Sequence, residues 1–336
     1  MPFQIAALTD IPGLAALLPR SDEASVAAAR DRQNQLTKPP GSLGTLEDLA
    51  LFMAGWQRTD RPRIGKAQAL VFAGNHGICD RGVNPFPQAV TAQMVANFEA
   101  GGAAINQLCR ANGADLTVIP LDLDRPTRDF TRGPAMDVEE TLAAMNSGAA
   151  AVDETADILL LGEMGIGNST VAAALACACF GGAPADWVGA GTGSDADGMA
   201  LKAQVIAEGL ALHETDDPIR ILACLGGREQ AAICGAILAA RAASIPVLLD
   251  GYICTAAAAP LHAANPALLE HCLIGHASAE PGHARLTRAM SKTPVLDFAM
   301  RLGEGTGAAL ALGIVRSALE CHNGMATFAE AGVSGA

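Results

Sequence analysis

The chain has 336 residues, half of them hydrophobic, with 35 acids against 22 bases and a net charge of −13. That is enough chain for one large domain with a small companion, and enough apolar side chain for a sizeable core. The acidity excludes a nucleic-acid backbone as partner, and any anionic ligand has to be held locally by backbone N–H groups, helix N-termini and a few placed bases.

Aromatic residues make up only 4% while Ala and Gly are abundant, so the core is expected to pack by close backbone approach. The nine cysteines, at 79, 109, 177, 179, 224, 234, 254, 272 and 321, form no CxxC pair and sit mostly in apolar runs. They read as reduced core thiols of a cytoplasmic protein. The first residues lack the basic start of a signal peptide and soon meet Asp10 and Pro12. The uncharged stretch 251–269 contains Pro260, His262, Asn265 and Pro266, which makes it a poor membrane span.

Residues 1 to about 60 read as helical and Ala-rich, broken by Lys38-Pro-Pro-Gly-Ser-Leu-Gly44. A double proline ends a helix, Gly41 and Gly44 make a fixed turn, and Thr45 is placed to cap the next helix. From Ala67 a unit recurs in which a short apolar run ends in glycine and a helix of small residues follows. The runs are 69–73, 116–119, 158–161, 187–190, 221–225, 246–249 and 272–274. Runs this short and continuous predict strands buried on both faces, although 221–225 fits a helix as well. Alternation with helices predicts an α/β fold with a doubly wound, mostly parallel sheet. Residues 122–155 read as a polar loop with one helix. The N- and C-terminal segments, 1–60 and 321–336, are expected to form a small helical domain beside a large domain over 61–320.

Three glycine-rich turns stand out. Gly162-Glu-Met-Gly-Ile-Gly-Asn-Ser-Thr170 follows a predicted strand and opens a helix running to Phe180, with Asn168 or Ser169 as its cap. Such a turn presents N–H groups to an anion, and equally serves as a tight corner without a ligand. It is neither a Walker loop nor a dinucleotide fingerprint. Gly189-Ala-Gly-Thr-Gly-Ser-Asp195 repeats the logic before the helix carrying Lys202, one of only four lysines. That lysine either reaches the anion or is a solvated helix side chain. Arg301-Leu-Gly-Glu-Gly-Thr-Gly-Ala308 sets Glu304 between glycines beside an apolar helix. Partial desolvation there raises a carboxyl pKa and suits a general base; a plain helix-start acid is the alternative.

Polar, glycine-rich stretches at 73–82, 84–91, 249–252 and 275–283 complete the set. Asp250 falls at a strand end, where open α/β sheets bind ligands. His76, Cys79, His276 and His283 lack metal-ligand spacing and are expected to tie loops together rather than hold a metal.

Taken in order, Lys38-Pro-Pro-Gly-Ser-Leu-Gly44, Gly74-Asn-His-Gly77, the Gly162–Thr170 turn, Gly189-Ala-Gly-Thr-Gly193, Ser278-Ala-Glu-Pro-Gly-His283 and Leu302-Gly-Glu-Gly-Thr-Gly307 resemble the nicotinate-nucleotide–dimethylbenzimidazole phosphoribosyltransferase family, from about residue 30 onward. The resemblance implies a Rossmann-like large domain, a small helical domain from both chain ends, a homodimer and no cofactor. It implies transfer of the 5-phosphoribosyl group of nicotinate mononucleotide to 5,6-dimethylbenzimidazole, a step in assembling the lower ligand of cobalamin. On that basis Glu304 is the proton acceptor. Glu163, Gly165, Gly167 and Asn168 line the ribose-phosphate site, and Gly191, Thr192, Gly193, Lys202 and Ser278 hold the phosphate. Asp250 approaches the ribose or the leaving nicotinate, and Asn84 and Gln88 lie at the benzimidazole pocket. Asn75 stands where an acid is common in relatives. Two rivals remain at this level. A dinucleotide oxidoreductase lacks its GxGxxG turn and following acid here. A non-catalytic nucleotide-binding module would have no use for a base between glycines.

Overall fold

The computed structural model describes residues 3–191 and 193–334. Among them six strands are found: β1 Ala67–Ala73, β2 Ala114–Pro120, β3 Ile158–Met164, β4 Val247–Leu249, β5 Cys272–His276 and β6 Pro294–Leu296. They form one sheet in the order β2-β1-β3-β4-β5-β6, with every pairing parallel. Alternate side chains serve opposite layers. Leu70, Phe72, Leu159 and Leu161 join one core, and Ala69, Val71, Ile158 and Leu160 join the other. Helices cover both faces of the central strands, whose runs are apolar throughout, whereas β2 at the sheet edge alternates half-buried Leu116 and Val118 with exposed Asp115 and Thr117. This is the expected doubly wound, Rossmann-like α/β fold.

Close backbone packing replaces bulky side chains. A Cβ on Gly148 would lie 1.8 Å from the Ala232 carbonyl oxygen, and one on Gly235 would lie 1.7 Å from that of Met145. Helices Val138–Ala150 and Arg228–Ala242 therefore meet backbone to backbone.

The direction of strand addition reverses at β1. The chain moves outward to β2, then crosses back to place β3 on the other side. Loops leaving the C-terminal ends of β1 and β3 thus diverge and leave a crevice, the place where such sheets bind ligands.

Helices Glu23–Gln35 and Thr45–Gln57 pack on each other, and the second of them packs on helix Thr306–Gly324. Arg32 joins the chain ends by donating to the carbonyls of His322, Asn323 and Met325. Ile5, Ile11 and Ala15, by contrast, belong to the main core.

Several local expectations are corrected. Residues 187–190 are not a strand. Trp187 is buried and donates its indole N–H to the Gly181 carbonyl, and the chain then continues as a loop into the site. Residues 221–225 lie in helix Pro218–Leu225, which Asp217 caps and Pro218 opens. The edge strand β6 went unanticipated because it spans three residues and begins with proline, a residue tolerated at a strand start on an edge. Thr45 is the first helical residue rather than the cap; Gly44, at φ 53°, holds the cap position. Among the described residues no helix is long and apolar enough to cross a membrane.

Candidate active site

A cavity of about 210 Å³ opens at the C-terminal ends of β3, β4 and β5. Its floor is the turn after β3. A Cβ on Gly165 would lie 2.6 Å from the Gly74 carbonyl oxygen, and one on Gly167, at φ 91°, would lie 2.6 Å from the Cys79 sulfur. The loop after β1 therefore dictates both glycines. Gly167, not Asn168 or Ser169, occupies the cap position of helix Asn168–Phe180, and no side chain caps that helix. Asn168 instead turns back, and its Nδ2 donates to Glu163 Oε2.

Three carboxylates converge at one end. Gly303, Glu304 and Gly305 are all left-handed, at φ 83°, 64° and 85°. Glu304 is a strained exception among non-glycine residues, worth about 1–3 kcal/mol. Its side chain is buried and lines the cavity. Burial, followed by the charge of Asp250, pushes its carboxyl up to about 7. Glu163 is fully buried and is pushed to about 8, first by burial, then by the charges of Asp250 and Glu229; the bond from Asn168 opposes this. Burial also raises Asp250, against His276 and backbone donors that pull it down. The Asp250 carboxylate accepts N–H bonds from Gly305 at 3.1 Å and Ala308 at 2.9 Å.

The opposite end carries the bases. Lys202 is only 3% exposed, which rules out the solvated alternative. Its Nζ donates to Ser169 Oγ at 3.3 Å. Burial pulls its pKa down, and Glu280 pushes it back up. Glu280 Oε1 accepts the Gly191 N–H at 3.0 Å, and Arg301 donates to the Gly191 carbonyl at 2.8 Å. Ser278 lines the same end. Thr192 lies outside the described residues. Gly193, at φ 134°, stands beside it and does not line the cavity.

The remaining wall is apolar, with Phe86, Val90, Met94 and Leu302 around Asn84. Gln88 does not reach it; its Nε2 donates to the His76 carbonyl at 2.9 Å. The histidines tie loops together as expected. His76 Nε2 lies 2.9 Å from Glu229, and His283 Nδ1 accepts the Ser278 N–H at 2.8 Å. No group of His, Cys, Asp and Glu among the described residues is arranged for a metal ion.

Sequence reasoning missed Glu280, Arg301, Tyr252 and His276 as lining residues. Tyr252, His276 and Glu280 lie in stretches marked as polar and glycine-rich, and Arg301 opens the third glycine-rich turn. Only the pairing of strand ends in space distinguishes the side chains that face inward.

Comparison with known proteins identifies the family. A phosphoribosyltransferase family model matches residues 18–333. The nicotinate-nucleotide–dimethylbenzimidazole phosphoribosyltransferase of Rhodobacter capsulatus is 64% identical over 99% of this chain and 99% of its own. The chain belongs to that family. The enzyme of the same name from Ruegeria pomeroyi is 58% identical over 98% of this chain and 99% of its own. The crystal structure of CobT from Thermus thermophilus superposes with a TM-score of 0.87 at 40% identity, over 93% of this chain and all of that one. Members of this phosphoribosyltransferase family therefore share the fold as well as the sequence.

Proposed function

We propose that the chain transfers the 5-phosphoribosyl group of nicotinate mononucleotide to 5,6-dimethylbenzimidazole, giving α-ribazole 5′-phosphate and nicotinate, with Glu304 as proton acceptor. The observation that carries the chemistry is the buried Glu304 carboxyl, raised to about 7 and facing the cavity. A base with a pKa near the working pH combines availability with proton affinity.

The steps balance without a further reagent. One benzimidazole nitrogen attacks C1′ from the face opposite the pyridinium. The C1′–N bond to nicotinate breaks with its electron pair, and the leaving ring departs neutral. The proton on the other benzimidazole nitrogen passes to Glu304. Attack from the far face inverts the β-linkage to α. Glu163, Gly165, Gly167 and Asn168 would line the ribose-phosphate, with Glu163 beside the positive charge that develops at C1′. Lys202, Ser278 and the loop Gly191, Thr192 and Gly193 would take the phosphate. The apolar wall beside Asn84 suits the flat acceptor ring. Gln88 supports the shape of that wall through His76 rather than by touching the ring.

The same reading carries a homodimer, which light scattering on the purified protein tests. It also carries a small helical domain from the two chain ends, supported by the Arg32 bonds to residues 322–325. Nine free cysteines, most of them buried, suit a cytoplasmic setting.

The reaction is tested by incubating the protein with both substrates and following α-ribazole phosphate by mass. The unmodified protein should turn over, with kcat/KM falling about tenfold per pH unit below pH ~7 as Glu304 takes up a proton. Glu304→Gln should lose turnover by at least ~10²-fold and still bind product. Full activity in that variant would refute the base assignment. Binding of product with no turnover by the unmodified protein would favour a binding module.

A further inference from the structure

The helix Thr306–Gly324 begins directly after Gly305, which holds its cap position and has no side chain to cap with. The third helical N–H, that of Ala308, is the one a capping side chain normally satisfies. Here Asp250 reaches it from the end of β4. One oxygen takes the Ala308 N–H, and the other takes the N–H of Gly305 itself. Asp250 is 1% exposed, so its position is fixed by packing. The turn it grips is tightly enclosed. A Cβ on Gly162 would lie 2.6 Å from the Gly305 nitrogen, and Thr306 Oγ1 closes the turn on the Gly303 carbonyl at 2.7 Å.

We propose that Asp250 is a positioning residue: by capping this helix from β4, it holds the left-handed Gly303–Glu304–Gly305 turn and so aims the Glu304 carboxylate into the cavity. This rests on the reading of Glu304 as proton acceptor and adds to it the group that presents it. Placing a carboxylate in the left-handed region is unfavourable on its own, and two charge-assisted hydrogen bonds anchored in the sheet are a sufficient counterweight.

The same side chain contributes to the basicity of Glu304. Its neighbours are Asp250 from β4, Glu163 from β3, whose Oε1 lies 2.5 Å from where a Gly303 Cβ would sit, and His276 from β5. Lys202, Glu280 and Arg301 share the cavity wall. The charge of Asp250 raises Glu304, so its removal lowers the pKa of the base.

Asp250→Asn separates this role from substrate contact and from mere fold support. The acid limb of kcat/KM should move down by up to about 1 pH unit, because burial accounts for the larger part of the rise. The kcat plateau should fall about 10²-fold as the base is misplaced, with KM for the nucleotide donor unchanged. A raised KM with the limb unmoved would make Asp250 a substrate contact and overturn the proposal, as would any loss of kcat with the limb in place. Should the variant not fold, amide hydrogen exchange on the unmodified protein decides. The Gly305 and Ala308 amides should be strongly protected, and rapid exchange at either would overturn the cap. Absence of turnover by the unmodified protein would instead refute the proposed reaction and leave the exchange result standing.

Discussion

Glu163→Gln should make the protein more stable above neutral pH. Glu163 is wholly enclosed, and its carboxyl is raised from 4.5 to about 8. Between those values the folded protein keeps a proton that the unfolded chain has already released. Stability therefore falls as pH rises through this window, opposite to the usual behaviour of a paired carboxylate. At about 1.4 kcal/mol per pH unit, the displacement corresponds to roughly 4–5 kcal/mol lost by pH 8. That is a large part of the roughly 5–15 kcal/mol typical of a whole domain. A glutamine keeps an oxygen to accept the Asn168 bond and carries no charge to desolvate. Urea unfolding of both proteins at half-unit steps from about pH 4.5 to about pH 8.5 measures the effect. The two curves of unfolding free energy should run together near the ordinary carboxyl pKa and separate steadily above it, with the variant higher. Asp250 and Glu304 interact with Glu163, so the difference reports the response of the whole acid cluster to the loss of this one carboxyl. Parallel curves would refute the reasoning, because they would mean that Glu163 binds protons alike in both states.

Two further outcomes are expected. Lys202→Met should raise KM for nicotinate mononucleotide about 10–100-fold, the value of a charge-assisted hydrogen bond, and should leave the use of the dephosphorylated riboside unchanged; equal losses on both donors would remove Lys202 from the phosphate. Gly235→Ala forces a methyl against the Met145 carbonyl and should destabilise by about 1–3 kcal/mol without altering KM in the folded fraction, so an unchanged Tm would contradict the backbone contact.

The central strands were legible because they are buried on both faces. Continuous runs such as Ile158-Leu-Leu-Leu161 leave no other use for so much apolar surface in so few residues. The same logic failed at Trp187-Val-Gly-Ala190, where burial comes from a loop folded over an indole rather than from pairing. It was silent at Pro294–Leu296, which pairs along one edge only. Within the site, the pattern around Glu304 left a general base and a helix-start acid both open, and only the resemblance favoured the base; the structure places its buried side chain on the cavity wall. Lys202 was ambiguous, since nothing in a helix pattern says which face a neighbouring loop will cover. Gln88 shows the converse limit. Its neighbours Phe86 and Val90 line the cavity, but its amide is committed to the His76 carbonyl by a loop shape that spacing does not encode.

The charge of the cavity explains how so acidic a chain handles a phosphorylated donor. Four carboxyl side chains line it, those of Glu163, Asp250, Glu280 and Glu304, against two bases, Lys202 and Arg301. Net charge alone would reject an anion, but three of the four acids lie away from the bases, and only Glu280 stands among them. The bases gather at the Gly191 loop, while Glu163, Asp250 and Glu304 crowd the ends of β3 and β4 and the start of the last long helix. Burial, and after it the charge of Asp250, raises the carboxyls of Glu163 and Glu304 while the site is empty. On the proposed reading, the donor brings a pyridinium cation to that end. A positive charge placed beside raised carboxyls favours their ionised forms. The substrate itself then readies Glu304 to accept a proton. When the bond at C1′ breaks, positive charge passes from the departing ring to the ribose, still facing the same carboxylates. One cluster of acids thus serves the ground state, the developing cation and the final proton transfer, provided the phosphate is anchored far enough away to keep its own charge out of their reach.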